Sequence, residues 1–173
     1  MPYDPNGHHR RSIRLPNYDY SQSGAYFITI CVQNHNCLFG RILTTVDGAE
    51  LQLNAQGLMV HDAWNEMPAK HPGLVLEEYI VMPNHFHALV ISDASDQGCK
   101  YNLSEVVHRF KTLTTKRYAH GVRKYGWPKF PGRLWQRNFW ERVIRNEKEL
   151  EAIRDYISYN PAKWEDDPLF VRA

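Results

Sequence analysis

His85 and His87 concentrate more potential chemistry in less sequence than any other part of this 173-residue chain. On a strand, positions i and i+2 face the same side. The two imidazoles therefore stand together, while Phe86, Ala88 and Val90 face the other way. Imidazole is the commonest side-chain metal ligand, and a second ring two residues on is within chelating reach. The same spacing also suits two polar residues on the wet face of an antiparallel strand, and spacing alone leaves both readings open.

Tyr156 and Asn160 form a second pair, four residues apart and so on one face of a helix. The amide oxygen can ligate a cation, and the phenol can attack a group that the cation polarises. Equally, Tyr156 can pack on the core while Asn160 closes the helix end. The surrounding pattern predicts the helix itself. Asn146 with Glu149 reads as an N-cap with a capping-box partner, and Leu150, Ile153 and Ile157 make an apolar stripe. Pro161 disfavours helical geometry at the preceding residue, so the helix should end near 159–160.

The other elements must hold these two pairs in place. Residues 1–24 are polar, contain three prolines and read as a basic N-terminal arm, followed by a single domain over 25–173. Strands are predicted at 25–33, around 50–53, at 74–82, at 85–92 and near 139–145, and Pro83-Asn84 joins the third tightly to the fourth. Helices are predicted from the Asn54 cap to about 69, and over 103–119 from the spacing of Leu103, Val106, Val107, Phe110 and Leu113. A Gly/Pro-rich connector follows at 121–132. The order predicts an α+β fold, a ferredoxin-like antiparallel sheet with helices packed mainly on one face.

The net charge of +2 hides an asymmetry. From Asp47 to Asp96 there are eight acids and one base, whereas from Lys100 to Arg145 there are twelve bases and two acids. The basic half also carries Phe110, Tyr118, Tyr125, Trp127, Phe130, Trp135, Phe139 and Trp140. Bases interleaved with aromatics suit nucleic acid, through phosphate contacts and base stacking; a solvated basic surface over an ordinary aromatic core has the same composition. In the arm, Arg10, Arg11 and Arg14 are candidates for backbone phosphates. The side of the 103–119 helix expected to be exposed presents His108, Arg109, Lys111, Lys116 and Arg117.

At this point the chain resembles the HUH endonuclease superfamily, and most closely its single-tyrosine transposases of the REP-associated type. The resemblance rests on residues 18–30, 81–89 (the His-Phe-His run), 103–112, 134–146, and the late tyrosine helix through 160–164. It covers most of the chain in family order. It implies a central sheet carrying the His pair with the helices behind it. By position, His85 and His87 match the metal-binding histidines, Tyr156 the nucleophile, and Asn160 the third metal ligand, which other members fill with Gln or Asn. Mixed nitrogen and oxygen ligation of this kind suits magnesium or manganese. The family acts on single-stranded DNA carrying hairpins of palindromic repeats, through a 5′-phosphotyrosine link. Arg10, Arg11, Arg14, Arg109, Lys111, Lys116, Arg117, Arg123, Lys124 and Arg137 are the hairpin-binding candidates. The members most like this chain are monomers, whereas related insertion-sequence transposases are dimers.

Two other readings use the same residues: a metal-dependent nuclease that uses water, with Tyr156 structural, and a non-catalytic hairpin-binding protein. Composition narrows the setting. No apolar run reaches the ~18 residues of a membrane helix, no apolar signal-peptide core is present near the N-terminus, and three cysteines fall in no metal pattern. A cytoplasmic protein without membrane partners is expected.

Overall fold

A computed structural model describes residues 24–46, 48–92 and 102–171. Arg10, Arg11 and Arg14 lie outside the described residues. The strands are β1 (Gly24–Cys31), β2 (Gly40–Thr45), β3 (Gly48–Leu53), β4 (Leu74–Val81), β5 (His85–Ser92) and β6 (Trp140–Ile144). The helices are α1 (Ala55–Asn65), α2 (Met67–Lys70), α3 (Leu103–Tyr125) and α4 (Glu147–Tyr159). β4, β5, β1 and β6 form one antiparallel sheet in that order, and β2 pairs with β3 in a separate hairpin.

The register explains how the sheet divides its labour. Directly opposed residues of antiparallel strands share a face. Trp140, Thr29, His87 and Ile80 therefore lie in one row across all four strands, with Cys31 and His85 paired in the next row on the same side. This is the front face. Tyr26, Ile28, Ile30, Phe86, Ala88 and Val90 alternate to the back and join Val60, Trp64, Val106, Val107 and Phe110 in the main core under α1 and α3. Trp64, Phe86 and Phe110 meet at centroid distances of 4.9 Å, within the range where edge-to-face and tilted ring pairs attract.

α4 lies on the front, not behind the sheet with α1 and α3. Its stripe of Leu150, Ile153 and Ile157 packs on Ala25, Phe27, Ile80, Leu89 and Ile144. A bulge in β4 strengthens this docking. Between Leu76 and Tyr79 the register slips, and Glu77 and Glu78 both reach Arg154 of α4, at 2.6 and 3.1 Å. The N-cap of α4 follows the sequence pattern, with Asn146 accepting from the Glu149 amide, but the Glu149 carboxylate accepts from the Arg145 amide, one residue before the position a capping box uses.

α3 is longer than its periodicity suggests, continuing through Gly121 to Tyr125. Gly121 is a packing device here rather than a stop. A Cβ at that position would collide with the Trp127 ring, which folds back onto the helix. The stop is Gly126, in the left-handed region at φ 69°. β2 was also not foreseen; its residues are half-exposed or exposed and give no clear alternation. No helix among the described residues is long and apolar enough to cross a membrane.

Candidate metal and phosphoryl-transfer site

The middle of the front face is polar yet buried. His85 and His87 are 0% and 2% exposed, with ring centroids 4.4 Å apart. Each ring is held through Nδ1: the His85 nitrogen lies 2.8 Å from Asn84 Oδ1, and the His87 nitrogen 2.8 Å from Thr29 Oγ1. The Asn84 amide is itself fixed, because its Nδ2 donates to the carbonyls of Leu169 and His35. Oδ1 must then face His85, so His85 donates from Nδ1 and keeps its lone pair on Nε2. That Nε2 is buried and has no partner among the described residues.

Burial keeps both rings neutral. It is the larger cause, with a neighbouring imidazole second, of a pKa pushed from 6.5 to about 3 at His85 and at His87. Neutral imidazole is the form that ligates a metal.

α4 brings Tyr156 and Asn160 to this pair. The Tyr156 hydroxyl lies 3.4 Å from His87 Nε2, and its ring stands edge-on to Phe27, which stacks on His87. Burial first, and then the charge of Asp167, holds the phenol above its ordinary pKa of 10. Asn160 closes α4 and is 2% exposed. Its Nδ2 donates to Asp167 Oδ2 at 3.2 Å, which leaves a buried Oδ1 without a partner among the described residues.

Asp167 is the residue that the sequence pattern did not reveal. The short 3-10 turn Pro161–Asp166 carries the chain back toward the histidines on the front face, and potential ligand atoms of His85, His87 and Asp167 lie within 4.8 Å of one another. A buried lone pair on His85, a buried amide oxygen on Asn160 and a nearby carboxylate form a donor set that fits a divalent cation. A cleft of about 370 Å³, lined by Tyr156, Tyr159, Asn160, Lys163 and Asp167, opens beside it.

The basic candidates separate into groups. Lys111, Lys116 and Arg137 line a groove of about 550 Å³ between α3 and residues 132–137, together with His108 and Arg133. Arg109 is exposed near the start of α3, and Arg123 and Lys124 are exposed in its last turn. Two residues expected on the exposed side are tied inward. Lys111 donates to the carbonyls of Gln136 and Asn138, and burial lowers its pKa to about 8. The Arg117 guanidinium grips both Glu66 oxygens at 2.8 Å, helping hold that carboxyl down at about 2. The helical wheel could not show the 136–138 loop or α1 closing over them.

Residues 60–160 match the model of a family described as Transposase IS200 like. The chain is 34% identical to an uncharacterized protein of Haemophilus influenzae, over 98% of this chain and 97% of that one. It is 25% identical to the REP-associated tyrosine transposase of Escherichia coli K12, over 83% of this chain and 70% of that one. Among solved structures it resembles a REP-associated tyrosine transposase bound to a REP hairpin. The TM-score is 0.59 at 22% identity, covering 87% of this chain and 73% of that one, a likeness of fold.

Proposed function

This chain belongs to the IS200-like transposase family, among the REP-associated tyrosine transposases, and from that premise we propose that it nicks and rejoins single-stranded DNA beside hairpins of palindromic repeats. The observation that carries the reading is the meeting of Tyr156 with His87, 69 residues apart in sequence, at 3.4 Å on the sheet's front face.

Tyr156 Oη gives up its proton to solvent and attacks the scissile phosphorus. The P–O3′ bond breaks, the released 3′ oxygen takes up a proton from solvent, and the 5′ phosphate remains joined to the tyrosine. Attack by a second 3′-OH reverses the step, so strands are exchanged without ATP. His85, His87, Asn160 Oδ1 and Asp167 would hold magnesium or manganese. When bound, such a cation withdraws charge from the phosphate. Asn84 and Thr29 orient the rings, and Asp167 turns the Asn160 amide so that its oxygen faces them. The charge of Asp167 opposes ionisation of Tyr156, an effect that a cation held by the same carboxylate would offset.

On this reading the enzyme acts as a monomer, with the histidines and the tyrosine of a site drawn from one chain. The groove with Lys116, Arg133 and Arg137, and the arm with Arg10, Arg11 and Arg14, supply cations for hairpin phosphates.

The experiment is to incubate Tyr156→Phe and Tyr159→Phe with a labelled single-stranded hairpin probe and manganese, then run denaturing gels. The unsubstituted protein and Tyr159→Phe should form a covalent adduct, and Tyr156→Phe none. An adduct from Tyr156→Phe but not from Tyr159→Phe overturns the choice of nucleophile. Cleavage without any adduct points to water as the nucleophile, and hairpin binding without cleavage points to a non-catalytic protein.

A further inference from the structure

The eight aromatics from Phe110 to Trp140, interleaved with bases, fall into two groups. Phe110, Tyr118, Trp135 and Phe139 are buried, and Trp127 and Phe130 pack against them. These six are accounted for as core. Tyr125 and Trp140 remain, each 60% exposed. Tyr125 sits at the end of α3, under Lys124 and beside His120. Trp140 is placed differently.

Trp140 begins β6, the outermost strand of the sheet. It is paired with Thr29, and Thr29 with His87. The Thr29 hydroxyl reaches the His87 ring, so Thr29 points to the front, and its partner Trp140 points there too. Two strand spacings, about 10 Å, separate Trp140 from His87 along this row. α4 covers the rows of Ala25 and Phe27 but leaves this indole in water. Arg142, two residues along β6 on the same face, exposes 59% of its side chain and is held only at the rim by Glu149, at 3.2 Å.

An indole on an outer strand buries little and adds little to the core. An indole level with the reacting residues, beside an accessible guanidinium, has the elements of a single-strand binding surface: a ring for a base and a cation for the adjoining phosphate. We propose that Trp140 is the platform on which an unpaired base flanking the scissile phosphate stacks, with Arg142 meeting the neighbouring phosphate. The inference rests on the single-stranded DNA reading above and adds to it the side from which the strand enters, across the β6 edge. Every base presents a π face, so the contact positions the strand without selecting its sequence.

The test uses the full chain and a fluorescein-labelled oligo-dT probe, followed by anisotropy, with tryptophan emission recorded separately on unlabelled oligo-dT. Trp140→Ala should weaken binding roughly 5- to 150-fold, the range of one lost base–aromatic stack. Trp140→Tyr should restore most of the affinity, which a loss of fold would not allow. The slope of affinity against salt should stay the same in Trp140→Ala, because no phosphate contact is removed. Oligo-dT should quench tryptophan emission in the unsubstituted protein and quench it less in Trp140→Tyr. If the unsubstituted protein binds oligo-dT and Trp140→Ala binds as tightly, the platform is wrong and the DNA reading stands. If the unsubstituted protein binds no single-stranded DNA, both fall.

Discussion

The two faces of one sheet are built on opposite principles. Behind it, 22 buried apolar residues of the described chain, among them Trp64, Phe86 and Phe110, form a continuous core with α1 and α3. In front, the buried apolar cluster under α4 has three, Leu89, Ile153 and Ile157, and the neighbouring space holds imidazoles, an amide and a carboxylate. Full burial of one large apolar side chain is worth about 1.5–3 kcal/mol, so most of the folding free energy must come from the back. The front carries groups whose desolvation costs stability: two imidazoles held neutral and an amide oxygen without a partner among the described residues. A strand serves both ends because its side chains alternate. Phe86 between His85 and His87 anchors the strand that presents them.

This contrast can be broken by substitution. The largest effect belongs to the front. His85→Ala or His87→Ala should lower cleavage by roughly a hundredfold or more, the scale of losing one group that stabilises a transition state. Hairpin affinity should survive, since the proposed function draws it from the basic half. Nicking at an unchanged rate at limiting manganese would contradict the assignment, and a thermal melt of each variant shows whether the fold has been kept.

Trp64→Ala probes the back. A fully buried tryptophan at the centre of the core should cost about 3–5 kcal/mol. That corresponds to a fall of roughly 6–20 °C in Tm for a chain of this size. The protein that remains folded at low temperature should still form the covalent adduct. A loss of adduct formation beyond the loss of folded protein would mean that the two faces are coupled more tightly than their packing indicates.

Acid gives the smallest and most graded effect. His85 and His87 titrate near 6.5 when unfolded and are held at about 3 in the fold. Between those values the unfolded chain binds protons that the native chain does not. Their contribution is therefore fully present above pH 6.5 and declines as pH falls toward 3. Melts recorded in the absence of added metal should show Tm falling over this window, and falling less in His87→Ala. Equal acid sensitivity in the two proteins would place the cause elsewhere. Glu66, held at about 2 by Arg117 and Lys70, acts with the same sign at lower pH.

What the sequence disclosed depended on whether a residue's role is periodic. His85 and His87 were visible because a strand's period of two puts them on one side, and Tyr156 and Asn160 because a helix puts positions four apart on one side. The structure brings all four together. The N-cap of α4 and the tight connection at Pro83-Asn84 were equally local and equally legible. Asp167 obeys no period, since its place depends on a turn after Asn160. The orientation of His85 by Asn84 depends on the carbonyl of Leu169, 85 residues away. Lys111 looked exposed because a helical wheel contains no loops, and the extra length of α3 was hidden because Gly121 reads as a stop unless Trp127 is known to fill the space above it.

Chain order also sets a schedule for the site. β1, β4 and β5 are neighbours in the sheet and are all synthesised before α3. Their pairing places the two imidazoles side by side while Tyr156, Asn160 and Asp167 have yet to be made. Between His87 and Asp167 lie 80 residue steps, which at 5–20 residues per second take roughly 4–16 seconds. During that interval the nascent chain carries the histidines without a nucleophile or a carboxylate beside them. On the proposed function, cutting would begin only after residue 167 has emerged and the turn after α4 has closed, so a chain still short of that point on the ribosome would leave the DNA around it intact.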